Sequence, residues 1–414
     1  MEEEISQQVL LFGFIIAVIM GFVGNRSQFC TMGAVSDWVN IGEKNRLRAW
    51  LLSIAVAILG VSLLEIFQFI SIETSRPPYR VGSLPLLRFI LGGVMFGVGM
   101  TLASGCGNKT LIRIGGGNIK SIFVFLVCGA FAYLMTKTVF YEYVFHSWVS
   151  ALSIKFSDFG YSTQSLGELL LGSGASPEES GVIGVVIAIF IGIWVFYSVE
   201  FREQLSLVLG GFVFGAAIVG GWYVTSGPIG KAWQETAEWM DQPPIGVGDQ
   251  SYTFINPMGE TLVYFQSGFN ELLLSFGVCS VAGVIFGSFM YSIFSRSFHL
   301  EWFPSVKDFF NHLIGAILMG IGGVLAMGCT IGQAVTGSST LSIGSFIVFF
   351  SILLGSAVSI KTRYYLLYYE GEANLLKAII AALADIRLMP KSFRRLDQIS
   401  VSYTHLTLPT KSSG

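Results

Sequence analysis

The chain has 414 residues, 53% of them hydrophobic and only 12% charged, against roughly 25% charged in soluble globular proteins, and its mean hydropathy is +0.67. So few charges cannot cover the surface of a soluble enzyme, and the apolar content excludes a disordered chain. With 24 basic and 26 acidic residues the net charge is −2, so nothing points to nucleic acid, and the composition is that of an integral membrane protein in a lipid bilayer.

A helix crossing a bilayer needs about 20 apolar residues. Nine segments qualify, near residues 9–24, 49–71, 86–103, 120–140, 181–199, 205–225, 271–294, 312–327 and 341–360. The first follows three glutamates (Glu2, Glu3, Glu4), whereas a cleaved signal wants a basic start, so it reads as a retained span. Lys44, Arg46 and Arg48 lie in the first connection, and the same side collects Lys120, Arg202, Arg296, Lys307, Lys361, Arg363 and the basic tail (Arg387, Lys391, Arg394, Arg395). That asymmetry predicts an outside N-terminus and a cytoplasmic C-terminus. The connections 141–180 and 226–270 read as interfacial helices and turns. Residues 371–389 read as an amphipathic cytoplasmic helix. The last stretch, VSYTHLTLPTKSSG from Val401, has no periodicity and resembles a translated sequencing adapter. The expected organisation is a transporter body over 1–369, a tail over 370–400, and a non-native or disordered end over 401–414.

Within the body, residues 91–106 (LGGVMFGVGMTLASGC) and 314–329 (IGAILMGIGGVLAMGC) share seven identities in sixteen positions at an offset of 223. Five spans separate them. An odd number inverts the second copy, so the expectation is an all-α fold of two inverted repeats, roughly 10–200 and 205–360, with the substrate path between them. Each copy ends in Gly-Cys and then turns polar: Gly107-Asn108-Lys109-Thr110 in one, Thr330-Ile331-Gly332-Gln333 in the other. Polar, non-helical backbone at membrane depth survives only inside protein or beside a cavity, which predicts re-entrant half-helices meeting near the membrane centre.

The five cysteines sort into two kinds. Cys128 and Cys279 sit among apolar neighbours and read as small hydrophobes. Cys30, Cys106 and Cys329 each sit in a break with Gly, Ser, Thr or Asn nearby. No His stands beside them for zinc, no CxxC suggests disulfide exchange, and no base is placed to activate a nucleophile. The residues therefore suggest neither a metal, a cofactor nor catalysis. A line of thiols through a pore is the functional reading, and packing of all three is the competing one.

Three segments, RSQFCTMGAVSDW (Arg26–Trp38), GMTLASGCGNKTLIRIGGGNIKS (Gly99–Ser121) and LAMGCTIGQAVTG (Leu325–Gly337), resemble the YeeE/YedE family of bacterial inner-membrane permeases for sulfur compounds. Its characterised members take up thiosulfate. The resemblance implies nine spanning helices plus half-penetrating ones, an hourglass of inverted repeats, and three central cysteines, which fall on Cys30, Cys106 and Cys329. The family is often coupled to a small cytosolic sulfurtransferase with a Cys-Pro-x-Pro motif. That motif does not occur here, so such a partner would be a separate chain. Links of some members to selenium leave the substrate open.

On this reading Gly105, Gly107 and Gly328 let backbone approach the anion, helix N-termini supply N–H groups, and neutral thiols pass the ion along weak successive sites. Arg26, Lys109 and Arg113 bias the path, although a purely topological role fits them equally. Arg76, Arg80 or Arg88, together with helix N-termini, is expected to make the outer entrance positive. The rival readings are a persulfide-forming sulfur-transfer enzyme and a membrane anchor for a cytosolic sulfurtransferase.

Overall fold

A computed structural model describes residues 2–72, 74–369 and 374–390. Among them are nine helices long and apolar enough to cross a membrane. The first part runs α1 (Glu2–Arg26), α2 (Thr31–Ile41), α3 (Asn45–Ile66), α4 (Leu86–Leu102), α5 (Gly107–Gly115) and α6 (Ile119–Lys137). A single spanning helix, α7 (Pro177–Phe196), follows. Its start is fixed by Pro177 and by a reciprocal cap between Ser176 and Glu179, which satisfies N–H groups that a helix leaves open at its first turn. The second part runs α8 (Leu205–Ser226), α9 (Pro228–Glu238), α10 (Ile255–Gln266), α11 (Phe276–Phe294), α12 (Val306–Leu325), α13 (Thr330–Gly337) and α14 (Ile343–Tyr368).

The packing carries the same repeat as the sequence. A Cβ on Gly92 would stand 2.9 Å from the Gly322 carbonyl, and one on Gly99 would stand 2.7 Å from the Gly315 carbonyl. Reciprocally, Gly322 would meet the Gly92 carbonyl at 2.8 Å and Gly315 the Gly99 carbonyl at 2.7 Å. As α4 advances, its partner on α12 recedes, so the copies run antiparallel. The offset of 223 turns the pair Gly92–Gly322 into the pair Gly315–Gly99, so each contact is the image of the other. Only glycine permits this approach, and the seam explains why glycines dominate the repeat.

The outer pairs follow the same exchange: α1 packs on α11, and α8 packs on α3. Gly21 and Gly287 admit α1 to α11, while Gly211 and Gly215 admit α8 to α3. The nine spans therefore divide as four, one and four. The odd helix, α7, lies on α3 through Gly181 and Gly184, which face Ile66 and Ser62. A short antiparallel pair, Ser83–Pro85 with Ser153–Lys155, ties the long connection to the start of α4.

Contacts separate the unit Met1–Ser356 from a second unit beginning at Ala357. In the second, α15 (Leu375–Asp385) covers Tyr365 with Ala378 and Ala381, and the Tyr365 hydroxyl bonds the Asp385 carboxylate. Lys391, Arg394, Arg395 and the adapter-like end from Val401 lie outside the described residues, as does the stretch 370–373.

Candidate permeation site

Three breaks share one design. Helices α1, α4 and α12 each end in a non-glycine residue of positive φ: Gln28 at 50°, Ser104 at 60° and Met327 at 57°. The next N–H then reaches back to a helical carbonyl: Phe29 to Gly24 at 3.1 Å, Gly105 to Met100 at 2.8 Å and Gly328 to Gly323 at 2.8 Å. This left-handed stop satisfies carbonyls at a helix end, and for a non-glycine residue it costs about 1–2 kcal/mol. The following residue is the cysteine, in extended conformation, and it caps the next helix: Cys30 for α2, Cys106 for α5 and Cys329 for α13. The Cys30 Sγ accepts from the Gly33 N–H at 3.5 Å, and the Cys329 Sγ accepts from the Gly332 N–H at 3.5 Å.

The breaks converge. The Thr31 hydroxyl, next to Cys30, lies 3.9 Å from the Cys106 sulfur. The Thr330 hydroxyl, next to Cys329, also stands beside the Cys106 sulfur, though no well-directed hydrogen bond forms. Around Cys329 gather the Phe254 and Ile331 N–H groups and the Thr253 hydroxyl. Cys106 and Cys329 are wholly buried and Cys30 is 8% exposed, so none of the three faces lipid. All five cysteines are free thiols. Behind Cys30, Phe29 stacks between Trp50 and Phe214 at 4.5 and 4.3 Å, which holds the first break in place.

Of the glycines singled out from sequence, Gly105 packs on the stem of Lys109, Gly107 on Ile255 and Phe254, and Gly328 on Gln333. Lys109 is buried, and its Nζ donates to Gln28 Oε1 at 2.7 Å. No carboxylate pairs with it among the described residues. Beside it, the wholly buried Asn108 amide has no hydrogen-bond partner among the described residues. Arg26 does not join the cluster; its side chain is exposed at the end of α1. Among the described residues no group of three or more His, Cys, Asp or Glu could hold a metal ion.

A cavity of about 350 Å³ is lined by Met327, two residues before Cys329, and by Thr253, which flanks the Cys329 sulfur. Its lining includes Arg76, Arg88, Lys137, Glu260, Thr253 and Met327, three cations against one carboxylate. Glu260 accepts from the Ser275 hydroxyl at 2.6 Å. Arg88 is held by the Leu325 and Val324 carbonyls at 3.0 and 3.2 Å, at the end of α12, and covers the Tyr141 ring. Of the three arginines offered for the entrance, Arg76 and Arg88 line this cavity and Arg80 does not. Its guanidinium makes a two-pronged pair with Glu65 at 2.6 and 2.9 Å and also donates to Thr340 O and Ile72 O, so its charge braces the fold and leaves none for an entrance. Glu65 sits within an apolar span, and sequence reading passed over it.

The wider helical turn of α13 was also not foreseen. Its π-type winding is held by Tyr79, whose hydroxyl donates to Gly332 O at 2.7 Å, and by Thr336, which donates to Tyr252 O at 2.7 Å. Burial, reinforced by nearby Cys329, pushes the Tyr79 phenol well above its ordinary range, so it stays a neutral donor. Thr31 and Thr330 were within reach of sequence reading, since each directly follows a break cysteine.

A sequence model of the family described as sulphur transport matches residues 26–358. The thiosulfate transporter TsuA of Escherichia coli (strain K12) is 23% identical over 390 residues, 90% of this chain and 99% of that protein. The thiosulfate transporter TsuA of Spirochaeta thermophila is 26% identical over 362 residues, 83% of this chain and 96% of that protein.

Proposed function

The chain belongs to the sulphur transport family, and from that premise we propose that it takes thiosulfate up across the bacterial inner membrane, passing it between Cys329, Cys106 and Cys30. The observation that carries this reading is the gathering of three buried cysteines, each at the N-cap position of a helix, with threonine hydroxyls beside the central thiol. The N-terminus faces outward and the C-terminus the cytoplasm on this reading, following the basic residues.

Thiosulfate is a dianion with oxygens at one end and a soft sulfur at the other. Leaving water is its main cost. The helix N-termini of α5 and α13 offer open N–H groups and partial positive charge, and the thiols and hydroxyls add weak donors. Neutral thiols hold the ion without trapping it, and a path of weak sites conducts. The Asn108 amide supports the reading, because a buried polar group without a partner costs about 1–3 kcal/mol that a polar occupant would relieve. Lys109 draws the ion toward Cys30. A separate small cytosolic sulfurtransferase would receive the product.

The test is uptake of radiolabelled thiosulfate into proteoliposomes holding this chain alone. Saturable uptake is the expected result. No uptake until a cytosolic partner is added would favour an anchor over a permease.

A further inference from the structure

The path repeats with the fold except at one position. Cys30 lies 76 residues before Cys106, and the residue 76 before Cys329 is Thr253. Both positions precede a short helix by no more than two residues, α2 at Thr31 and α10 at Ile255. The two helices share one packing partner in equivalent positions, α3 for α2 and α11 for α10, although α10 packs more extensively on α6.

The local contacts match as well. In the first half, the segment Cys30–Thr31 touches the Cys106 sulfur. In the second, Thr253 and Phe254 flank the Cys329 sulfur. A Cβ on Gly332 would fall 2.5 Å from Thr253 Oγ1, so the glycine leaves the room that the hydroxyl occupies. Thr253 is only partly buried and lines the cavity with Arg76, Arg88 and Met327. It is the link between that cavity and the first thiol.

We infer that Thr253 is a fourth station of the path, the first reached from the cavity, standing where Cys30 stands in the other half. A hydroxyl is a stronger donor than a thiol and less polarisable. It therefore suits the oxygen end of an anion that still carries water, while the thiol behind it suits the soft sulfur. The duplicated backbone thus begins with oxygen chemistry and ends with sulfur chemistry. This inference rests on the proposed thiol path.

The experiment compares Thr253→Val, Thr253→Ser and Thr253→Cys in proteoliposome uptake. Losing a hydrogen bond to a charged ligand corresponds to about a tenfold rise in KM for Thr253→Val, with a smaller change in maximal rate. Thr253→Ser keeps the parental KM. Thr253→Cys gains a site labelled by a membrane-impermeant thiosulfonate added from the cavity side, measured against the parent with its five native cysteines, and thiosulfate slows that labelling. An unchanged KM for Thr253→Val, or labelling of Thr253→Cys that thiosulfate leaves unaltered, overturns the inference. Failure of the thiol path itself reads differently, as normal uptake by Cys106→Ala and Cys329→Ala.

Discussion

The breaks at Cys106 and Cys329 have nearly the same backbone and different chemistry. Each follows a left-handed stop and caps a short helix. After Cys106 the helix is a regular α-helix and carries a buried cation, Lys109. After Cys329 the helix is π-wound and uncharged; the offset of 223 sets Gly332 against Lys109, while the next residue, Gln333, packs on Gly328 as Lys109 packs on Gly105, its amide donating to the Ala326 carbonyl at 2.6 Å. The turns beyond differ in the same way. The turn after α5 is pinned by charge: Asn118 and Lys120 both hold Glu301. The turn after α13 is pinned by a neutral hydroxyl, Ser342, which donates to the Tyr79 carbonyl at 2.9 Å. Cations on the Cys329 side stand back in the cavity. Duplication preserved the geometry of the breaks, and the charges around them are specific to each half.

If the thiols are the common element of the two halves, removing any one interrupts the path. Cys30→Ala, Cys106→Ala and Cys329→Ala are each expected to cut uptake by at least about tenfold, while Cys128→Ala and Cys279→Ala retain it. Normal uptake by two of the three central variants, at equal protein levels, would break the comparison at its root. Next in size is the Arg80–Glu65 brace, which has no image in the other half among the described residues. Arg80→Ala leaves a buried carboxylate unpaired and should cost about 3–5 kcal/mol of stability. Thermal unfolding in detergent reads this loss; a variant of parental stability with a raised KM would instead return Arg80 to the entrance.

Lys109→Gln makes the first half resemble the second. Loss of one charge-assisted contact predicts about a tenfold weaker apparent affinity, together with a shallower dependence of uptake on salt. Unchanged affinity and salt dependence would remove Lys109 from the path. The smallest effect concerns Glu301, whose carboxyl is held below its ordinary range by the hydrogen bond and charge of Lys120, with Arg113 and Asn118 adding to it. A depressed carboxyl stabilises the fold above its unfolded value, about 4.3, and that contribution is lost as pH falls through the lower folded value. The Tm advantage of the parent over Glu301→Gln should therefore be present at pH 6 and shrink below pH 4. An advantage independent of pH would assign the turn's stability to packing.

Much of this comparison was legible in the chain itself. Spans show as apolar runs because lipid imposes their length, and the break cysteines show because polar residues interrupt those runs. The Gly-Cys repeat exposed the inversion through its offset and the odd count of spans. What stayed hidden depended on distant partners. Nothing near Arg80 in sequence announces Glu65, fifteen residues earlier and one connection away. Thr253 carries no motif, and only the register of the duplicated fold gives it a role. The π winding of α13 escaped because a single added residue per turn leaves no mark on hydropathy.

The lone helix α7 has a consequence of its own. Its place between the halves makes the span count before the second half odd, which fixes the parity on which the antiparallel glycine seam depends. Adding or deleting one crossing there would present two parallel copies, and Gly92 would no longer face Gly322. As a surface, α7 offers α3 the small residues Gly181 and Gly184, a Trp194 ring under the Arg48 guanidinium and the buried side chains of Ala188 and Val195. Those contacts seat the helix; its mere presence sets the parity, so the protein needs this crossing as a count before it needs it as a surface.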